Sequence, residues 1–219
     1  MSATDRPEEG KVPPAGPGAA GLRRLVLWRH GETEYNAAGR MQGQIDTELT
    51  PVGWDQARFV VPRLARFAPE LVVSSDLRRA NDTATVFTEA IGVGLQVDKR
   101  LRETHLGQWQ GLTSAEVDEG WPGERQRWRA DASWSPPGGE SRVDVSERAY
   151  EVVAELQDST YAAVMLVAHG GLIVALTARL LGLPLALWPI FTGIGNCHWV
   201  DLGRDRGQWR LLAYNAGTE

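Results

Sequence analysis

Two short stretches of this chain share one grammar. In Leu25-Val26-Leu27-Trp28-Arg29-His30-Gly31 and in Val164-Met165-Leu166-Val167-Ala168-His169-Gly170-Gly171, an apolar run stops at a histidine, glycine follows, and helix-forming residues come next. The first also sets a guanidinium beside its imidazole. A neutral imidazole is nucleophilic near pH 7, where a serine hydroxyl is not, and it takes a phosphoryl group without a metal. Arginine makes bidentate contacts to phosphate oxygens that lysine cannot match. Phosphoryl transfer needs in-line attack and neutralisation of charge on the equatorial oxygens, so histidines with fixed arginines point to phosphomonoester chemistry. The leaving alkoxide needs a proton, which a carboxylic acid near the phosphate could provide. Gly31, Gly170 and Gly171 would let backbone N–H groups and helix starts approach the anion. The chain has four histidines, so two in the same setting are informative; His105 and His198 fit no motif and read as structural.

These side chains meet only if the elements carrying them end along one edge. The pattern predicts strands over 24–28, 70–74, 95–97 and 162–167, with β character again over 196–202 and 209–213. Between them, Thr50-Pro51 opens a helix with N-cap and N1 chemistry that runs to about residue 67. Further helices are expected over 76–90, ended by Gly92 and Gly94, over 140–156, and from Gly170 to about residue 181. Strands alternating with helices indicate a layered α/β domain with a mostly parallel sheet, whose strand ends collect ligands. Periodicity weakens over 102–139, where Trp109, Trp121, Trp128 and Trp134 are scattered; this reads as a small cap of loops and short helices, its tryptophans packing rather than touching ligand. Residues 1–21 are rich in Pro, Gly and Ala and poor in apolar bulk, which predicts a disordered tail ahead of one domain over 22–219.

Composition narrows the partners. Of 219 residues 42% are hydrophobic, enough for a sizeable core, and the formal net charge of -5 argues against nucleic acid or an anionic membrane as partner. Any anion site must be a local concentration of arginine. One cysteine, Cys197, excludes an internal disulfide or a cysteine-based zinc site and reads as a small buried residue. The start of the chain carries no apolar signal region, and the uncharged run over 180–197 is broken by two prolines and three glycines, so a cytoplasmic protein with no membrane span is expected. No cluster has metal-ligand spacing, so neither metal nor cofactor is expected. The apolar segment 180–190, with Trp188, is either the contact of a homodimer or the sheet's covering layer.

Arg29-His30-Gly31-Glu32-Thr33 resembles the signature of the histidine phosphatase superfamily, the phosphoglycerate mutase-like enzymes, and four more segments follow in that family's order. They are Thr33-Glu34-Tyr35-Asn36, Ser74-Ser75-Asp76-Leu77-Arg78-Arg79-Ala80, Leu101-Arg102-Glu103 and Ala168-His169-Gly170-Gly171. A bare Arg-His-Gly is weak evidence; the five in order are strong. The resemblance implies a three-layer α/β/α sandwich with the cap inserted. It also implies His30 as phosphoryl acceptor, Arg29, Arg79 and His169 as the phosphate pocket helped by Asn36 and Gly170, and Glu103 as the acid that later activates water. Bland rivals stand beside each: Arg79 as a solvated helix residue like Arg78, Glu103 as a surface charge paired with Arg102, Asn36 as a turn cap.

The family holds mutases, which return the phosphoryl group, and phosphatases, which admit water. Gly107-Gln108-Trp109-Gln110-Gly111-Leu112-Thr113 is similar to the phosphatase pattern Gly-x-Trp-x-Gly-x-Thr and departs from the mutase arrangement, so hydrolysis of a small phosphomonoester is expected. Residues 40–48, 100–107 and 138–145 resemble members acting on a sugar-glycerate phosphate, with Gln42 and Gln44 placed to hydrogen-bond a polyol or sugar. A broad phosphomonoesterase, a phosphoglycerate mutase and a non-catalytic phospho-ligand module are the alternatives.

Overall fold

The computed structural model describes residues 21–217; the expected tail lies almost wholly outside them. In chain order the elements are β1 (Arg24–Arg29), α1 (Glu34–Ala37), α2 (Pro51–Leu64), β2 (Leu71–Ser74), α3 (Arg78–Ile91), β3 (Leu95–Val97), α4 (Ser114–Gly120), α5 (Glu124–Ala130), α6 (Arg142–Gln157), β4 (Ala163–Ala168), α7 (Gly170–Leu180), β5 (Trp199–Asp205) and β6 (Gln208–Ala216). They form a six-stranded sheet in the order β3-β2-β4-β1-β5-β6. The first four strands are parallel, while β5 runs antiparallel to β1 and β6 antiparallel to β5. The sheet is thus mostly parallel, as expected, with two antiparallel pairings at one edge.

Burial on both faces explains why the central strands read as continuous apolar runs rather than alternating ones. Leu25, Leu27, Val164, Leu166 and Ala168 pack against Val152, Val153 and Leu156 of α6 and Leu172, Ile173 and Leu176 of α7. Val26, Trp28, Met165 and Val167 pack the other way, against Ala57, Val60 and Leu64 of α2 and Ala80, Ala84 and Phe87 of α3. This is the three-layer sandwich. The helix starts follow local chemistry: Thr50 caps α2 through the Gly53 N–H with Pro51 at N1, and Ser141 and Asp144 form a capping box on α6. Gly92, in the left-handed conformation at φ 74°, ends α3 as its sequence predicts.

The segment over 102–139 consists of loops and short helices, α4 and α5 among them. Its own small core is Trp109, fully buried and ringed by Trp121, Trp128 and Trp134, with Leu106 and Val117. Ala132 packs with Ala175 and Ala178 of α7 and with Trp188 beyond it. The segment 180–190 divides accordingly: Trp188 belongs to this covering layer, whereas Leu185, Leu187 and Ile190 stand exposed.

Candidate active site

Strand register brings the two histidines together. Arg29 pairs with Ala168 across β1 and β4, so the next residue of each strand, His30 and His169, leaves the sheet at the same level. The His30 N–H donates to the Ala168 carbonyl at 3.1 Å, and the two ring centroids are 5.2 Å apart. Both side chains are buried.

Their hydrogen bonding differs. His30 Nδ1 lies 2.7 Å from the Gly31 carbonyl oxygen, which can only accept, so Nδ1 carries the proton and Nε2 keeps the lone pair. Neither ring nitrogen of His169 has a partner among the described residues. Burial above all, and then the charges of Arg79 and Arg29, hold His30 well below the usual histidine range. Burial, Arg79, His30 and Arg29 do the same to His169. Both are neutral imidazoles at neutral pH.

Two arginines complete the group. Arg29 donates through Nη1 to the Ile194 carbonyl at 2.5 Å. Arg79, only 1% exposed, donates through Nη1 to Ile45 O and through Nη2 to Gly43 O, both at 2.8 Å. Burial pulls Arg79 down to about 10, against the attraction of Glu103 and Asp46 and with help from Arg29, which leaves it charged at neutral pH. The Nε atoms of Arg29 and Arg79 have no partner, and with the two His169 nitrogens they make four of the eight buried side-chain polar atoms left unpaired among the described residues. Buried polar groups are otherwise nearly always satisfied. Such a concentration of unpaired donors around one nucleophilic nitrogen fits an oxyanion.

Glu103 is held by backbone. Its Oε1 accepts from the Leu172 N–H at 2.9 Å, the Thr104 N–H at 2.8 Å and the Thr104 hydroxyl at 3.3 Å, while Oε2 accepts from the Gly171 N–H at 2.9 Å. The helix start of α7 thus binds a protein carboxylate. Oε2, with one donor against three, is the oxygen with room for a proton. Arg102 pairs with Asp76, not with Glu103. Arg148 pins the preceding chain by donating to the carbonyl oxygens of Arg100, Arg102 and Glu103 while its guanidinium pairs with Glu140.

The remaining expected site residues divide. Asn36 does cap a turn, closing a capping box with Thr33, and its Oδ1 also accepts from Asn196 Nδ2 at 3.1 Å, which leaves the amide NH2 as its remaining donor. Gln42 is buried with its carbonyl oxygen accepting from the Thr47 hydroxyl, and Gln44 donates to the Glu103 carbonyl, so one end of each amide braces the loop. Gly170 lines the cleft over Arg29: a Cβ there would sit 3.4 Å from Arg29 Nε. The expectation that all three glycines serve the anion needs correction. A Cβ on Gly31 would meet the Gly53 carbonyl oxygen of α2 at 2.4 Å, and one on Gly171 would meet Glu103 Oε1 at 2.7 Å. Close packing to α2 and to the acid explains these two. Arg78 is exposed and pairs with Glu48 and Asp82. His105 and His198 bond to Gly138 and Asn215, away from the pair.

A cleft of about 500 Å³ is lined by Arg29, Glu103 and Gly170 of this group and, beyond the group, by Trp128, Arg129, Arg142 and Phe191. Trp128 therefore both packs and faces the cleft. Sequence reading missed Arg129, Arg142, Arg148 and Asn196; Arg142 follows the Ser141 capping box, a helix-start signal that puts a side chain at an element's edge. Among the described residues no cluster of three or more His, Cys, Asp or Glu is placed to hold a metal ion, and no helix is long and apolar enough to cross a membrane. Burial pushes the Cys197 thiol up to about 12, as suits a packing residue.

Comparison with known proteins gives the same answer. The chain is 51% identical to the glucosyl-3-phosphoglycerate phosphatase of Mycolicibacterium vanbaalenii over 217 residues, covering 90% of this chain and 96% of that protein. It is 37% identical over 194 residues to a probable phosphoglycerate mutase of Salmonella paratyphi C, covering 86% and 88%. A solved structure of mycobacterial glucosyl-3-phosphoglycerate phosphatase complexed with VO3 superposes with a TM-score of 0.84 at 52% identity, covering 90% of this chain and all of that one. The family model for the histidine phosphatase superfamily (branch 1) matches residues 25–217, and the chain belongs to that superfamily.

Proposed function

We propose that this protein is a phosphatase that hydrolyses glucosyl-3-phosphoglycerate through a phosphohistidine on His30. The observation that carries the mechanism is the Nδ1–H bond to Gly31, which fixes the tautomer with Nε2 as nucleophile beside unpaired Arg29, Arg79 and His169 donors. The Nε2 lone pair attacks phosphorus in line, the bond from phosphorus to the ester oxygen breaks, and Glu103 gives its proton from Oε2 to the departing alkoxide. Positive charge on the phosphorylated ring strengthens its Nδ1–H bond to the carbonyl. Arg29, Arg79, His169 and the Asn36 amide stabilise the equatorial oxygens. Water then enters, Glu103 takes its proton, hydroxide attacks phosphorus, and the electron pair of the breaking P–N bond returns to Nε2 as phosphate leaves.

The substrate follows from the relatives named glucosyl-3-phosphoglycerate phosphatase, supported by identity across nearly the whole of both chains. Steady-state kinetics across phosphorylated glycerates, sugars and amino acids tests it. Glucosyl-3-phosphoglycerate should give the highest kcat/KM; a flat profile would make the enzyme a broad phosphomonoesterase. With 3-phosphoglycerate and a bisphosphoglycerate primer, isomerisation outpacing phosphate release would make it a mutase instead. Turnover should be unchanged by chelators, since the mechanism routes no step through a metal; activity lost to a chelator and restored by a divalent ion would overturn that part.

A further inference from the structure

The outer cleft holds a second group of cations that the steps at phosphorus do not use. Arg129, in the last turn of α5, and Arg142, the first residue of α6, line it together with Trp128. Arg142 Nη1 donates to the Arg129 carbonyl at 3.2 Å, and the Arg142 guanidinium sits 5.1 Å over the Trp128 ring centroid. Stacking and the backbone bond fix the plane of the guanidinium, which a bidentate contact requires.

No carboxylate among the described residues lies within ion-pair distance of either arginine. Neighbouring cations differ: Arg125 is bound to Asp118 and Arg148 to Glu140. Asp118, already committed to Arg125, feels Arg129 only at longer range. Burial, and then the like charge of Arg129, pull the Arg142 guanidinium down. Two cations held together in a cleft without a counter-charge focus a positive potential there.

We propose that Arg129 and Arg142 form a second anion subsite that receives the glycerate carboxylate, selecting phosphomonoesters that carry a carboxylate close to the phosphate. The proposal rests on the phosphatase reading of the same cleft and adds its outer half. The inner group takes a phosphate, and the carboxylate of a phosphoglycerate is the second anion that the outer group would meet. Glycerol 3-phosphate, which has a hydroxymethyl in place of that carboxylate, would leave the pair unmatched.

Competition against p-nitrophenyl phosphate hydrolysis reads the subsite whether or not the competitor is itself turned over. The wild-type protein should bind 3-phosphoglycerate about 10- to 100-fold more tightly than glycerol 3-phosphate, the range of one or two charge-assisted hydrogen bonds. In the double variant Arg129→Gln/Arg142→Gln that ratio should collapse toward one. Equal inhibition constants in the wild type, or a ratio that survives in the variant, overturns the proposal. Should the variant fail to fold, the wild-type protein decides alone: methyl esterification of 3-phosphoglycerate should abolish the preference, and an ester that inhibits as well as the acid sinks the subsite. Failure of the substrate assignment looks different, since glucosyl-3-phosphoglycerate would then be no better than other esters while the carboxylate preference persisted.

Discussion

β1 and β4 deliver the same residue to neighbouring places, and the chain treats the two differently. His30 and His169 are both buried and both held neutral by the same causes, burial first and the arginines after. What separates them is one carbonyl. Gly31 O fixes the His30 tautomer, so its lone pair has one address, whereas the His169 ring has no partner among the described residues and can turn either nitrogen into a donor. The first arrangement suits a nucleophile that must attack along one line; the second suits a donor that follows an oxyanion as it changes shape. Residue type and strand register do not assign these roles. The backbone acceptor beside the ring does.

The sharpest way to break that comparison is to remove each ring in turn. His30→Ala should lose about four orders of magnitude or more in kcat, since no other group can take the phosphoryl. His169→Ala should lose about 10²–10³, the cost of one donor to a developing oxyanion. Rapid quench with radiolabelled substrate adds a qualitative test: an acid-labile, alkali-stable phosphoenzyme should form in His169→Ala and be missing from His30→Ala. Equal losses, or label carried by His169, would mean that the carbonyl does not decide which ring reacts.

Glu103 extends the contrast from rings to carboxylate, because its two oxygens are as unequal as the two histidines. Glu103→Gln should cost about 10²–10⁴ in kcat on alkyl phosphates, the usual worth of a placed general acid. The loss should be much smaller for phosphorylation by p-nitrophenyl phosphate, whose phenolate departs without help. The substitution also sets an amide NH2 against the Gly171 N–H, or else against the donors on Oε1, and so should cost about 1–3 kcal/mol of stability in denaturant titrations. A variant that slows both substrates equally while keeping full stability would place the proton elsewhere.

How much of this was legible beforehand depends on whether a residue's partner lies near it in sequence. The histidines were legible because an abrupt end to an apolar run marks a strand's edge, and Gly92 because only a left-handed stop explains it. Arg79 was legible through resemblance alone: nothing local separates it from Arg78, one position away and pointed at solvent, until Gly43 O and Ile45 O are brought up from a distant loop. Gln42 and Gln44 show the same dependence, since Thr47 and the Glu103 carbonyl, brought up by the fold, hold one end of each amide. Arg129 was hidden among the other arginines of an aperiodic segment, and for Arg142 the Ser141 capping box marked only a helix start. Their significance is a missing counter-charge, and that is a property of three dimensions.

The smallest expected effect is the most direct test of how the two rings share one charge state. A histidine whose folded pKa is depressed adds no penalty above the unfolded value of about 6.5, where both states are neutral. Below it the unfolded chain binds protons that the buried rings refuse, so stability falls as pH drops and keeps falling until the folded value is reached. Each excluded proton contributes at most about 1.4 kcal/mol per pH unit. Urea midpoints measured between pH 7.5 and 5 should therefore decline, and His169→Gln, which keeps a buried polar side chain but cannot titrate, should decline less steeply. Activity should show the other face of the same exclusion. After correction for the substrate's own phosphate ionisation, log kcat/KM should have no downward break centred near pH 6.5, because His30 is still unprotonated there. A break at that pH, or a histidine C–H resonance of His30 titrating at its ordinary value, would mean that burial and the two guanidiniums do not hold the ring neutral, and the nucleophile would need another source of its lone pair.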